Sequence, residues 1–135
     1  EEISRAATNR GVVQDVLIEV NIGGELSKSG VTPDTAEAFV KQADKLQGLN
    51  VKGLMAMLPK SDDEELLARL CLQMRGIYDK LKGQGFPFSC LSMGMTADYK
   101  IAVKNGSNTI RIGSGIFGKR NYGISTESAP DGDNK

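Results

Sequence analysis

Four residues in the last third of the chain, Thr96, Arg111, Gly113 and Ser114, have the types and spacing to grip a phosphate ester beside a ring. Ile112-Gly113-Ser114-Gly115-Ile116-Phe117-Gly118 follows a β-branched run. Glycines let the backbone approach an anion with its N–H groups aimed at it, and a helix opening at Ser114 or Gly115 would add its positive end. Ser114 brings a hydroxyl donor. The same letters satisfy G-x-G-x-x-G, but a dinucleotide site needs a helix, a second strand and an acidic residue about twenty positions further on. A polar tail arrives first, so phosphate binding is the preferred reading. The alternative is a tight turn whose glycines serve packing.

Thr96 lies in Ser92-Met93-Gly94-Met95-Thr96-Ala97-Asp98, which joins another strand to a helix. Its hydroxyl can donate to phosphate or simply cap the helix. Arg111 stands two residues before Gly113 on an expected strand, where a guanidinium is costly to bury without a partner. That partner is either an acidic side chain or the ring nitrogen of a ligand whose phosphate sits at Gly113 and Ser114. Lys28, in the loop Asn21 to Gly30, could meet an anion or remain a solvated lysine. Met55, Met57, Met93, Met95 and Cys90 read as packing groups.

Composition narrows the chemistry. There is no histidine, which removes the usual zinc sets, the Ser-His-Asp triad and the Cys-His dyad from this sequence. Cys71 and Cys90 sit in apolar runs without a C-x-x-C pair and read as buried free thiols. Seventeen basic residues balance seventeen acidic ones, so no broad field favours nucleic acid or an acidic membrane. No apolar run matches a membrane span and the first residues lack a signal-peptide pattern, so a cytoplasmic location is expected. Glu1 to Thr8 reads as the end of an amphipathic helix, so a fragment is also expected.

These residues must be held by repeating strand–helix units. Strands are expected at Val16 to Ile22, Val51 to Leu58, Phe88 to Met93 and Thr109 to Ile112. Helices are expected from Thr32-Pro33-Asp34 to Gly48, from about Asp62 to Lys82 and from about Ala97 to Lys104. Alternation of this kind argues for an α/β fold with a parallel sheet, and ligands then bind at the carboxyl ends of the strands. Four βα units are about half of a (β/α)8 barrel of roughly 250 residues. The domain is expected to span residues 1–123, with 124–135 a disordered polar tail.

Taken together, these segments resemble the pyridoxal phosphate homeostasis proteins, whose fold is like the N-terminal barrel of alanine racemase. The resemblance is carried by Leu91-Ser92-Met93-Gly94-Met95-Thr96-x-Asp98-Tyr99 and by Ile110-Arg111-Ile112-Gly113-Ser114-Gly115-Ile116-Phe117-Gly118-Lys119-Arg120-Asn121-Tyr122. Upstream, Val20-Asn21-Ile22, Glu25-x-x-Lys28-x-Gly30 and Gly53-Leu54-Met55-Ala56 match in order and spacing.

The resemblance implies that Thr96, Gly113 and Ser114 hold the phosphate of pyridoxal 5′-phosphate while Arg111 faces the pyridine nitrogen. The family more usually has serine at Thr96 and threonine at Ser114, and both exchanges keep a hydroxyl. An arginine at the nitrogen disfavours its protonation, which suits a carrier better than a racemase. The family's Schiff-base lysine belongs to an earlier strand and has no counterpart here, so this stretch is the second half of the barrel without that lysine. The expectation is a non-catalytic carrier that buffers vitamin B6 and amino-acid balance, completed by the other half-barrel or by self-association. The rivals are a racemase- or lyase-type enzyme and a half-barrel phosphate-binding or association module.

Overall fold

The computed structural model describes residues 1–120. The tail expected at 124–135 lies outside the described residues. Eight elements follow in order: α1 (Glu2–Asn9), β1 (Gln14–Glu19), α2 (Pro33–Ala43), β2 (Leu49–Met55), α3 (Glu64–Gly83), β3 (Cys90–Ser92), α4 (Tyr99–Lys104) and α5 (Ser114–Phe117).

The strands form one sheet in the order β1-β2-β3, and both pairings are parallel. Val16 lies opposite Val51, Ile18 opposite Leu54, and Leu54 opposite Leu91. This is an α/β arrangement of the TIM-barrel kind, with helical crossovers between parallel neighbours. Side chains alternate across a strand, so Val16, Ile18, Leu54 and Leu91 share the face covered by helices. There they meet Ala36 and Val40 of α2 and Leu67, Cys71, Met74 and Leu81 of α3 in one apolar cluster. Leu54, Met74, Leu81 and Leu91 are fully buried, each burial contributing on the order of 1.5–3 kcal/mol.

Local chemistry sets the helix ends. Pro33 opens α2, where a missing N–H costs nothing. Asp63 caps α3 by accepting from the Leu66 N–H at 2.9 Å, and Glu64 and Glu65 suit its positive end. On the outer surface Glu37 of α2 binds Lys41 at 2.6 Å, Lys80 of α3 at 2.6 Å and Gln84 at 3.1 Å. Lys41, then Lys80 and Gln84, hold its carboxyl down from 4.5 to about 2. A depressed acid stabilises the fold above its ordinary range, and that contribution is lost as pH falls through about 2. Glu37→Gln should therefore lower the urea midpoint at neutral pH, with the deficit closing as the pH is brought down towards about 2. A deficit independent of pH would contradict the assignment.

The fourth expected strand differs. Thr109 to Ile112 contributes one parallel bridge, Ser92 to Thr109, so the sheet has three strands among the described residues. Main-chain bonds from the Met93 N–H to Thr109 at 3.1 Å and from the Thr109 N–H to Leu91 at 3.3 Å make that bridge, and a side chain sits beside them. The buried Ser107 Oγ lies 2.8 Å from the Met93 carbonyl, 2.9 Å from that of Thr109 and 3.1 Å from that of Leu91. Beyond Thr109 the chain stays beside the segment after β3, where the Arg111 N–H donates to the Gly94 carbonyl at 2.9 Å. Arg111 thus lies outside the assigned strands, two residues past the Thr109 bridge.

The packing assignments divide. Met93 is buried, whereas Met57 and Met95 are exposed. Methionine at a strand end follows its loop outward as readily as the core. Cys71 is buried, and burial pushes its thiol up to about 11. Cys90 is half-buried on the opposite sheet face, its Sγ 3.3 Å from Thr109 Oγ1.

Candidate functional site

The loops leaving the carboxyl ends of the strands are tied to one another by polar contacts. After β1 the chain folds back on that strand's own outer edge, where the Val31 N–H donates to Glu19 at 2.9 Å and the Asn21 N–H to Val31 at 2.8 Å. Gly30 makes this possible with φ +106°, since a Cβ there would stand 2.9 Å from Asn21 N. Lys28 then reaches the second loop. Its Nζ donates to the Leu58 carbonyl at 3.1 Å and pairs with Glu25 at 3.0 Å. It is not a free solvated lysine: it latches the first loop to the second, and one of its three N–H groups remains unassigned among these contacts.

The third loop approaches the last turn. Thr96 Oγ1 accepts from the Gly115 N–H at 3.1 Å and lies 3.4 Å from Ser114 Oγ. The capping alternative for Thr96 fails. Asp98 occupies the N-cap of α4, and its carboxylate accepts from the Met95 N–H at 2.7 Å. Helix α4 starts three residues after Thr96, too far for the hydroxyl to cap it. Thr96 instead accepts at the opening of α5, with its own proton left to give. Gly113 is the N-cap of α5, and a Cβ built on it meets nothing within 4 Å. Two hydroxyls and a glycine turn facing open space form a donor set suited to a phosphate monoester.

Arg111 lies between this turn and the strand ends. Its Nη1 donates to the Ser92 carbonyl at 3.2 Å and also to Ser92 Oγ. Its Nη2 donates to the Ala56 carbonyl at 3.0 Å. The acidic partner allowed by the sequence is therefore replaced by two main-chain oxygens and a hydroxyl. Five N–H groups belong to a guanidinium, so two remain, one on Nη2 and one on Nε. All are donors. A group placed against them must be an acceptor, which an unprotonated ring nitrogen is.

Sequence reasoning missed Ser92, Ala56 and Gly115. Ser92 had a readable signal: it ends a strand whose alternation puts it on the same face as Cys90, away from Leu91. Ala56 contributes only its carbonyl and leaves no mark in the sequence. Among the described residues there is no group of three or more His, Cys, Asp or Glu arranged to hold a metal ion. No described helix is long and apolar enough to cross a membrane.

Comparison with known proteins gives consistent matches. Residues 1–121 match the model of the alanine racemase N-terminal domain. A pyridoxal phosphate homeostasis protein from Aquifex aeolicus is 36% identical over 123 residues, covering 90% of this chain and 54% of the relative. A crystal structure of an unknown protein from Bifidobacterium adolescentis superposes with a TM-score of 0.82 at 37% identity, over 86% of this chain and 47% of that one. PipY from Synechococcus elongatus, solved with PLP bound, superposes with a TM-score of 0.73 at 28% identity, over 85% of this chain and 54% of that one. The chain spans about half the length of the curated relatives it matches.

Proposed function

The chain belongs to the alanine racemase N-terminal domain family, and on that premise we propose that it forms the phosphate-holding side of a pyridoxal phosphate site in a non-catalytic carrier. In this reading Thr96, Gly113 and Ser114 hold the phosphate and Arg111 faces the pyridine nitrogen. The relatives' name supports a role in pyridoxal phosphate homeostasis, and we extend that role to vitamin B6 and amino-acid balance. When bound, the cofactor supplies an aldehyde and an electron-accepting ring. Arg111 tempers that ring, because a fixed cation at the nitrogen opposes protonation and so weakens electron withdrawal.

The observation that carries this reading is the meeting of two separate turns. Thr96 and the Ser114-Gly115 pair lie within 3.4 Å of each other, beside a guanidinium tied to the same sheet end. The described residues 1–120 then constitute one part of a barrel. A further strand would complete it along the part of the outer edge of β1 that Val31 does not cover, where the groove includes Val16, Leu17 and Phe39. A second copy of the chain could serve the same purpose.

The test separates phosphate from ring. Thr96→Val combined with Ser114→Ala should weaken pyridoxal phosphate binding by about 10- to 100-fold, since each variant removes a hydrogen bond to a charged group. Pyridoxal, which lacks the phosphate, should bind the variant and the parent alike. Calorimetry on the full-length protein reads both ligands. Unchanged pyridoxal phosphate affinity in the double variant would remove the assignment.

A further inference from the structure

We propose that Ser92 is the positioning residue for Arg111, and that its hydroxyl sets the preference for a phosphate ester bearing a ring nitrogen over one without it. The inference rests on pyridoxal phosphate being the ligand. Arg111 meets three acceptors at the sheet end: the carbonyls of Ala56 and Ser92 and the Ser92 hydroxyl. The two carbonyls are fixed by the strands, because the Ala56 N–H donates back to the Ser92 carbonyl at 3.0 Å. The hydroxyl alone is a side-chain choice.

Ser92 is 2% exposed, so its short side chain is confined. By register it lies opposite Met55, and Met55 lies opposite Glu19, the last layer of the sheet before the loops. With the hydroxyl in place both Nη1 protons are engaged, and the groups left for a ligand are on Nε and Nη2. Without it one Nη1 proton is released, and that arm is held by a single carbonyl at 3.2 Å. The guanidinium is then held by the two carbonyls alone, at 3.2 and 3.0 Å, and meets the ring nitrogen with a looser pose than three acceptors enforce. The phosphate end, built from Thr96 and Ser114, does not touch Ser92 through any of these bonds.

Two ligands distinguish the possibilities in the full-length protein: pyridoxal phosphate, and phenyl phosphate, which has the ester but no ring nitrogen. Ser92→Ala should weaken pyridoxal phosphate by about tenfold, the loss of one charge-assisted hydrogen bond's worth of orientation. Phenyl phosphate affinity should not change. In an Arg111→Met background the Ser92→Ala substitution should cost pyridoxal phosphate binding nothing further. Ser92→Cys, which keeps the shape with a weaker acceptor, should fall between the parent and Ser92→Ala and guards against misfolding of the alanine variant. Equal weakening of both ligands, the same loss without the guanidinium, or parent-like binding by both Ser92 variants would overturn the role. A parent protein that binds phenyl phosphate but not pyridoxal phosphate would overturn the ligand assignment itself, and this inference with it.

Discussion

A Gly53→Ala variant is expected to lose the cooperative unfolding transition of the parent. Gly53 sits in β2 opposite Cys90 with φ +155°, a backbone conformation that favours glycine. A Cβ built there stands 1.7 Å from the Cys90 carbonyl oxygen. No rotamer change relieves such a clash, because the obstructing atom is main chain in the neighbouring strand. The β2–β3 pairing must part, and it carries the two oxygens that hold Arg111. The cost exceeds about 4 kcal/mol, in the range reserved for special backbone sites and broken cores. A domain has about 5–15 kcal/mol in total. Urea denaturation followed by far-ultraviolet circular dichroism is the measurement, and a midpoint equal to the parent's would refute the geometry.

Arg111→Ala should weaken pyridoxal phosphate binding by about 100-fold, corresponding to two factors of ten at 1.4 kcal/mol each. A hydrogen bond to a charged group contributes about 1.5–3 kcal/mol, so removing the guanidinium reaches this figure from the ring contact alone. The same change leaves the Ala56 carbonyl without the guanidinium, while the Ser92 carbonyl keeps the Ala56 N–H, and it lowers folding stability by about 1–3 kcal/mol. Arg111→Lys should restore little, since an ammonium cannot span the two carbonyls and present further donors in one plane. Inorganic phosphate, which needs only the Thr96 and Ser114 turns, should compete as well in the variant as in the parent. If phosphate competition falls in parallel with cofactor affinity, the guanidinium contributes to the phosphate end and its assignment to the ring is wrong.

The meeting of Thr96 with Ser114 was legible because the alternation of strands with helices placed both segments at one end of the sheet, and each segment carries a hydroxyl within two residues of a glycine. Arg111 was legible as a cation needing a partner, but not the partner itself: main-chain oxygens are present at every residue and mark none. The strand expected at Thr109 to Ile112 shows the limit of pattern alone. Its β-branched residues fit a strand, yet it keeps only the Ser92–Thr109 bridge, with the Ser107 hydroxyl lodged among the carbonyls of Leu91, Met93 and Thr109, an arrangement that is settled only in three dimensions. Lys28 shows another limit. Its role follows from where the Leu58 carbonyl lies, thirty positions away. Gly53 was noticed as part of a motif without a reason, and the reason is a carbonyl in another strand.

The anchoring of Arg111 has a bearing on how the site can vary over generations. Two of its three acceptors are peptide oxygens, which no codon change can delete while the strands stay paired. Heritable adjustment of the cation's pose is therefore channelled through a single hydroxyl position. Lineages could retune ligand preference there by one nucleotide substitution, leaving the barrel wall untouched.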